Sequence, residues 1–360
     1  MRLKVIYLVI ISSLLLAPFA TANVRHEINI PDILGYKTLK CDFHIHTVFS
    51  DGTVWPTVRV DEAWREGLDA ISITEHIERA HPHKEDIPIN HERSYEIALP
   101  RTKEKRILLI KGAENTRDTP PGHFNSIFLE DINPLDTEDL VDAIKAANNQ
   151  GSFVFWAHPG WKPEFKGWFD IHTKLYENKW LHGIEVANGK SYYPEAHQWC
   201  LEKNLTMLGT SDAHEPIVGS EITLENHRPM TLVFAKEKSI KAIREALFAG
   251  RTVVWFKNQL IGRPKYLRAI FMTAVQIHKS HHRQNDTIWF EVTNHSDIDI
   301  EIQGLEEEGQ GKLTLPANAI TMIKKKVDSK AEQAELKCMI TNFLIAPEKG
   351  LPVNLNVSLK

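Results

Sequence analysis

The 360-residue sequence has little cysteine and no strong excess of either charge. Its three cysteines, Cys41, Cys200 and Cys338, are too few and too scattered for a disulfide framework, so each is expected to be a buried apolar side chain. A Cys200–Cys338 bridge is the less favoured alternative. The formal net charge of −4, with 25% charged residues, indicates no field of the strength that nucleic-acid binding requires. We therefore expect no nucleic-acid partner.

Signature motifs of several common enzyme classes are also missing. The sequence contains no Gly-x-Ser-x-Gly nucleophile elbow, no Walker-type phosphate loop and no dinucleotide-binding fingerprint. It has no internal repeat or low-complexity segment, and its glycines and prolines, 18 of each, are scattered. The sequence thus gives no support for a covalent serine mechanism, a P-loop enzyme or a repeat protein.

The longest hydrophobic run lies at the amino terminus. A basic start, residues 1–4, precedes the almost wholly apolar segment 5–16 and the small-x-small sequence Ala20-Thr21-Ala22. This pattern predicts a signal peptide over residues 1–22, cleaved after about Ala22, and a periplasmic or secreted protein. The apolar segment is shorter than the ~20 residues that span a bilayer comfortably, and no later run is long enough. We expect no membrane span after cleavage.

Short apolar runs alternate with amphipathic stretches through the middle of the chain, a rhythm typical of parallel strands joined by crossover helices. His44 and His46 follow the first run and, two residues apart on a strand, are expected to share a face. An isolated His-x-His pair is more often a surface feature than a ligand pair. However, the later runs also end in metal-binding side chains, and carboxyl ends of such strands converge on one face of a barrel or sheet. Those side chains are His76, Glu114, His158, Asp212 and His214.

These motifs and their order resemble the PHP (polymerase and histidinol phosphatase) superfamily of metal-dependent phosphoesterases. The resemblance extends over roughly residues 37–262 and rests on His44-Ile45-His46 with Asp51-Gly52, Thr74-Glu75-His76, Gly112-Ala113-Glu114, His123, Ala157-His158-Pro159 and Ser211-Asp212-Ala213-His214. It implies an α/β fold, a distorted (β/α)7 barrel. One departure is Glu75, where many members carry Asp. Because His76 is the implied ligand, this change is expected to affect only the surroundings of the metal.

The resemblance also implies a site for three divalent metal ions. The ligands would be His44, His46 and Asp212 for one ion, His123 and His158 for a second with Glu114 bridging the two, and Asp51, His76 and His214 for the third. Imidazole and carboxylate ligands suit zinc, manganese or iron and do not select among them.

The expected reaction follows from the charge of such a site. A water that bridges two cations loses a proton near neutral pH, and the cations neutralise phosphoryl oxygens as negative charge develops. We therefore expect hydrolysis of a small-molecule phosphoester by a metal-bridging hydroxide. The export signal, full ligand set and short carboxyl-terminal β-domain look most like secreted bacterial PHP phosphodiesterases, which include enzymes acting on organophosphate diesters. Alternatives are a phosphomonoesterase similar to histidinol phosphatase, an amidohydrolase, and an exported glycan-binding protein with a scaffold barrel.

Polar residues near the ligand motifs are candidates for substrate contact. Arg117 could bind a phosphate with two guanidinium hydrogen bonds, and a surface loop arginine is the equal alternative. His81, together with His83 and Lys162, follows a ligand-bearing strand, where a solvated loop is the simpler explanation. Glu185 ends another apolar run and is expected to support the ligands rather than bind metal.

Aromatic residues near the motifs could wall the pocket, although most tryptophans are simply packed. They are Trp156, Trp161, Trp168, Tyr192 and Tyr193.

The pattern changes near residue 262. Helical periodicity over 238–250 and a strand over 252–256 precede alternating strands at 288–292, 298–302, 312–315 and 353–357. We expect a catalytic domain over residues 23–262 and a small β-sandwich-like domain over 263–360, which could cover the barrel, dimerise or bind sugars. His278, His281 and His282 are interpreted as part of a polar turn rather than as a metal site. The sequence leaves the oligomeric state open.

Overall fold

The computed structural model describes residues 24–78, 87, 90–162, 166–217, 227–304, 311–328 and 331–359. The predicted signal peptide and the candidate contacts His81 and His83 lie outside these residues. No helix in the described part of the chain is long and apolar enough to cross a membrane.

The amino-terminal region is built around a curled sheet. Its strands are β1 (Lys37–Ile45), β2 (Ala70–Ile73), β3 (Leu108–Asn115), β4 (Phe124–Ile127), β5 (Phe153–Trp156), β6 (Gly183–Asn188), β7 (Ser191–Tyr192) and β8 (Thr206–Thr210). Strands β1 to β6 are hydrogen-bonded in sequence order and β8 pairs with β6. These pairs are parallel except at β4, which runs antiparallel to both β3 and β5. The short β7 pairs antiparallel with β6.

The sheet closes where β1 and the segment after β8 end together. Ile45 bridges to Ala213, the Asp212 amide donates to the His44 carbonyl at 2.9 Å, and the His46 amide donates to the Ala213 carbonyl at 3.1 Å. The ring therefore contains β1, β2, β3, β4, β5, β6 and β8, and the predicted distorted α/β barrel is confirmed. Side chains from its strands, including Phe43, Ile127 and Phe155, form a solvent-free core.

Helices connect the strands and cover the sheet. They are α1 (Pro56–Arg65), α2 (Arg93–Lys105), a 3-10 turn (Asn133–Leu135), α3 (Leu140–Asn149), α4 (Asp170–Glu177), α5 (Pro194–Glu202) and α6 (Ile240–Phe248). Local sequence explains their ends. Asp139 and Ser239 accept hydrogen bonds from the amides three residues later and so cap α3 and α6, while α1 and α5 begin with proline. Gly250, at φ +63°, takes the left-handed conformation that ends the helix predicted over 238–250.

Three antiparallel strands extend the sheet from the first part of β1, residues Lys37–Cys41, on the edge opposite β2. They are β9 (Met230–Ala235), β10 (Thr252–Phe256) and β11 (Gln259–Gly262), so the strand predicted over 252–256 is confirmed. The next element is helix α7 (Pro264–Ala274), which was not predicted.

The carboxyl-terminal region folds as two antiparallel sheets, and the predicted small β-sandwich is confirmed. One contains β12 (Val275–Ile277), β13 (His282–Gln284), β14 (Thr287–Asn294) and β17 (Ala319–Lys326); the other contains β15 (Ile300–Gln303), β16 (Lys312–Leu315), β18 (Gln333–Ile340) and β20 (Leu351–Ser358). Every second residue of β20 is buried, which is the alternation typical of a sheet with one solvent-exposed face. The boundary at residue 262 stays a prediction.

Strand and side-chain contacts join the two regions. Strand β19 (Phe343–Leu344) leaves the sandwich and pairs in parallel with β11. The Asn342 side chain donates to the carbonyls of Asn258 and Asp299, both at 2.7 Å. One apolar cluster continues from the barrel into the sandwich.

All three cysteines are buried and free, as expected for packed side chains. The alternative Cys200–Cys338 bridge does not form.

Candidate metal centre

The strand ends bring nine predicted ligands into one cluster at the carboxyl face of the barrel. Within it, ligand atoms lie within 4.8 Å of one another in four overlapping groups. The groups are His44, His46 and Asp212; His44, Glu114 and His158; His76, Glu114 and His123; and His46, Asp51, His76 and His214. His278, His281 and His282 belong to none of these groups, which were sought among the described residues.

The Glu114 carboxylate lies at the centre of the cluster and is fully buried. Its Oε1 atom is 2.8 Å from His123 Nδ1 and 3.4 Å from His158 Nε2. Its Oε2 atom is 3.1 Å from His76 Nδ1 and 3.2 Å from the Nε2 atoms of His44 and His46. A carboxylate whose two oxygens face different imidazole groups is suited to bridging two cations.

His44, His46 and Asp212 converge beside Glu114. The Nε2 atoms of the two histidines are 3.0 Å apart, and Asp212 Oδ1 lies 3.2 and 3.1 Å from them. Asp212 Oδ1 is buried without a hydrogen-bond donor. Ring nitrogens and a carboxylate oxygen at such separations, shielded from water, fit a divalent cation between them, because each can supply a lone pair.

A third set lies nearer the mouth of the site. Asp51 Oδ1 is 3.0 Å from His214 Nε2, and Asp51 Oδ2 is 3.3 Å from His76 Nε2. The His214 side chain is 33% exposed, whereas His44 and His46 are fully buried. The cluster therefore runs from a closed end at His44 to an open end at His214.

Electrostatics keep the carboxylates of the cluster ionised. Burial opposes ionisation, but His76 and His44 hold the pKa of Glu114 well below its usual range. Burial likewise works against the charged form of His46, yet its contacts with the Asp212 and Glu114 carboxylates raise the pKa of His46 to about 9. A metal ion must therefore displace protons from this cluster.

Glu185 positions two of the ligands from behind. Its Oε1 accepts from His44 Nδ1 at 2.8 Å and from Thr210 Oγ1 at 2.6 Å. Its Oε2 accepts from the His158 amide at 2.7 Å and from Asn188 Nδ2 at 2.8 Å. Because the carboxylate accepts from the Nδ1–H of His44, the Nε2 atom is the one left to bind a cation once its proton is displaced. The supporting role expected for Glu185 agrees with these contacts.

Glu75 fixes the loop that follows β1. Its carboxylate accepts from the Thr47 amide at 3.1 Å, from Ser50 Oγ at 2.5 Å and from the Thr47 hydroxyl. This loop leads to Asp51, so the departure from aspartate lies in the surroundings of the ligands, as expected.

Arg59 was not among the predicted site residues, although it holds the rim of the barrel, meaning the strand ends that carry the proposed ligands. Fully buried on α1, it donates from Nε to the His46 carbonyl at 2.8 Å and from Nη2 to the Ala213 carbonyl at 2.8 Å. Nη1 pairs with Glu62 at 2.9 Å. The available signal was periodicity, because Arg59 shares the buried helix face of Pro56, Val60 and Ala63.

A second buried ion network ties β1 to the turn that carries Asp212. Asp42 accepts from the Ser211 amide at 3.1 Å and from Arg228 Nη1 at 2.9 Å. Arg228 also pairs with both oxygens of Glu66, at 2.8 and 3.0 Å. Nothing in the spacing of these residues along the chain indicates that they meet.

The cluster opens into a cavity of about 210 Å³. It is lined by His76, His123, His158, Trp161, Asn188, Asp212 and His214. Of the aromatic residues expected near the pocket, Trp161 lines it, whereas Trp156 and Trp168 pack against His172 away from it.

The other described candidates for substrate contact, Arg117 and Lys162, contact acidic side chains. The Arg117 guanidinium pairs with Glu78 and donates to the Thr137 carbonyl at 2.9 Å, so it fixes a loop. Lys162 lies 3.8 Å from Asp118 Oδ1. Phosphate binding by Arg117 stays a prediction that these contacts do not support.

Comparison with known structures supports the fold and shows the family. A crystal structure of a two-domain protein from Bacteroides vulgatus, containing a predicted PHP-like metal-dependent phosphoesterase, is 46% identical to this chain, with a TM-score of 0.88. The match covers 93% of this chain and 100% of that one. The chain therefore belongs to the PHP superfamily of metal-dependent phosphoesterases, as its motifs predicted.

Other comparisons cover less. Residues 275–356 match a family described as an Ig-like domain. A proposed metal-dependent phosphoesterase from Bifidobacterium adolescentis is 17% identical, with a TM-score of 0.40 over 58% of this chain and 96% of that one. An amidohydrolase from Chromobacterium violaceum is 15% identical, with a TM-score of 0.38 over 49% of this chain and 88% of that one. No curated protein matches the sequence.

Proposed function

We propose that this protein is a phosphodiesterase that uses divalent metal ions held by the nine clustered residues. The observation that carries the proposal is the buried Glu114 carboxylate, whose two oxygens each lie within 3.4 Å of imidazole nitrogens from different strand ends. Bound divalent cations would supply an activated water and neutralise the phosphoryl oxygens. The role of the chain is to fix the ligand lone pairs, and Glu185 does this for His44 and His158.

The clustering supports three ions. We assign one to His44, His46 and Asp212, a second to His123 and His158 with Glu114 between the two, and the third to Asp51, His76 and His214. The third set is the most exposed, so it is expected to exchange its ion most readily. Zinc, manganese and iron all suit these ligands.

The surroundings of the cavity favour a diester over a monoester. The described part of its wall consists of imidazole, indole, amide and carboxylate groups, and the nearby cations Lys162 and Arg117 are paired with Asp118 and Glu78. A monoester dianion gains more from free cationic side chains than a diester monoanion does. With the predicted signal peptide, we propose that the mature enzyme acts on an exported or environmental diester.

The test is turnover by mature protein loaded separately with zinc, manganese or iron. Hydrolysis of bis(p-nitrophenyl) phosphate should exceed that of p-nitrophenyl phosphate, and the His44→Ala, Asp212→Ala double variant should abolish it. His282→Ala, which removes a histidine of the sandwich, is the matched control and should leave the rate unchanged. Faster monoester turnover would make the protein a phosphomonoesterase, and no turnover with any metal would contradict the proposal.

A further inference from the structure

Trp161 is the large apolar side chain at the mouth of the metal cluster. It lines the cavity and remains 47% exposed, whereas Trp156, the last residue of the preceding strand β5, is 1% exposed. Its ring centroid lies 6.0 Å from the His123 ring and 5.9 Å from the His158 ring. An indole thus borders the same space as two candidate ligands of one metal ion.

The chain fixes the position of this indole. The Trp161 amide donates to the His158 carbonyl at 3.1 Å, so the two residues belong to one turn. Gly160 packs against the Tyr193 ring so closely that an added Cβ would lie 2.7 Å from it. Tyr193 is itself held by its amide, which donates to the Val186 carbonyl at 2.8 Å. The backbone turn that places the indole beside the ligands is therefore held by packing.

A lysine ammonium group also lies near the Trp161 ring. Lys162 Nζ lies 5.0 Å from the indole centroid and 3.8 Å from Asp118 Oδ1. A tryptophan held between a cation and a cavity presents a flat apolar surface suited to stacking with a planar ring.

We propose that Trp161 selects phosphoesters whose organic group carries a planar aromatic ring, which stacks on the indole while the phosphoryl group binds at the His123 and His158 side of the cluster. This inference rests on the proposed phosphoesterase function and adds the class of organic group to it. Trp161 acts on binding of the ring and leaves phosphoryl recognition to the metal ligands.

The experiment compares two non-hydrolysable probes on the metal-loaded full-length mature protein. Phenylphosphonate and methylphosphonate present the same anionic head group and differ in the ring, so the ratio of their dissociation constants, measured by titration calorimetry, isolates the ring contact. Wild type should bind phenylphosphonate about 2- to 10-fold more tightly, the range expected for one aromatic stacking contact. Trp161→Ala should bring the ratio to about 1 without changing methylphosphonate binding, and Trp161→Phe should keep most of the preference.

The controls separate this inference from the function on which it rests. Ile320→Ala removes an apolar side chain that is 64% exposed on the sandwich and should leave both constants unchanged. A ring preference that persists in Trp161→Ala would overturn the role of Trp161 while leaving phosphoryl binding in place. Failure of metal-loaded wild type to bind either phosphonate would overturn both.

Discussion

The barrel rim and the sandwich both bury their strand residues, but they bury different chemistry. In the sandwich the fully buried residues Phe290, Val292 and Ile340 are apolar and alternate with exposed or half-exposed neighbours. At the rim the fully buried side chains include Glu114 and Glu185. Burying ionisable groups costs free energy unless they are paired, so the buried carboxylates of the rim contribute less to folding than the apolar residues of the sandwich do. We interpret their burial as serving the metal site. Changes at the rim should therefore abolish activity, whereas changes in the sandwich should lower stability.

The largest effect is expected from Glu114→Gln. An amide keeps the volume of the side chain but cannot bridge two cations, so kcat should fall by more than about 100-fold and bound metal should decrease. Glu335→Gln is the matched control on β18, where Glu335 accepts from Asn354 Nδ2 at 2.6 Å at the surface. Initial rates and metal analysis of both variants test this prediction. Equal losses of kcat and bound metal in Glu114→Gln and Glu335→Gln would contradict a special role for Glu114.

Phe290→Ala should produce the opposite pattern. Phe290 is fully buried in β14, so its truncation should lower the free energy of unfolding by about 3–5 kcal/mol. Activity per folded molecule should stay within about 2-fold of wild type, because a cavity in this strand removes no ligand. Denaturant unfolding and initial rates measure the two quantities. A large loss of activity in protein that remains folded would show that the sandwich contributes to the site.

Glu185→Gln probes the support behind the ligands. Loss of the carboxylate that accepts from His44 Nδ1 should weaken metal binding by about 10- to 100-fold. Competition with a chelator measures the affinity, and circular dichroism checks that the fold is retained. Unchanged metal affinity would mean that the barrel alone orients His44.

The smallest effect is a pH dependence confined to the rim. The pKa of His46 is raised to about 9, above the ~6.5 of an unfolded histidine, so its stabilising contribution is complete below pH 6.5 and disappears as pH rises through 9. The melting temperature of metal-free protein should therefore fall between pH 6.5 and 9. His46→Ala should flatten this slope, and bound metal should also flatten it because it replaces the proton. A steeper fall in His46→Ala would contradict the assignment.

The clustering of the proposed ligands could be predicted because it depends on simple geometry. His44, His76 and Asp212 each follow a short apolar run, and the ends of the strands in a curled sheet meet on one face. The periodicity of α1 indicated that Arg59 is buried, but not what it contacts. The Arg59–Ala213 and Asp42–Arg228 contacts could not be predicted, because they join residues 154 and 186 positions apart and depend on the packing of whole elements.

The direction of β4 and the connection between the two regions also could not be predicted from the sequence. The antiparallel course of β4 is set by its partners β3 and β5, and four residues carry no periodicity that reveals direction. Helix α7 and strands β17 and β18 were missed, and the pairing of β19 with β11 crosses the predicted domain boundary.

The closure of the barrel has a consequence for the order of assembly. His44 and Asp212, which belong to one candidate group, are also the residues whose backbones join the first strand to the segment after the last. During synthesis, a nascent chain that ends before Asp212 contains His44 and His46 but cannot complete this group. If this group holds a metal ion as proposed, the ion can bind there only after the ring has closed, and an occupied site then indicates that the whole barrel has been made.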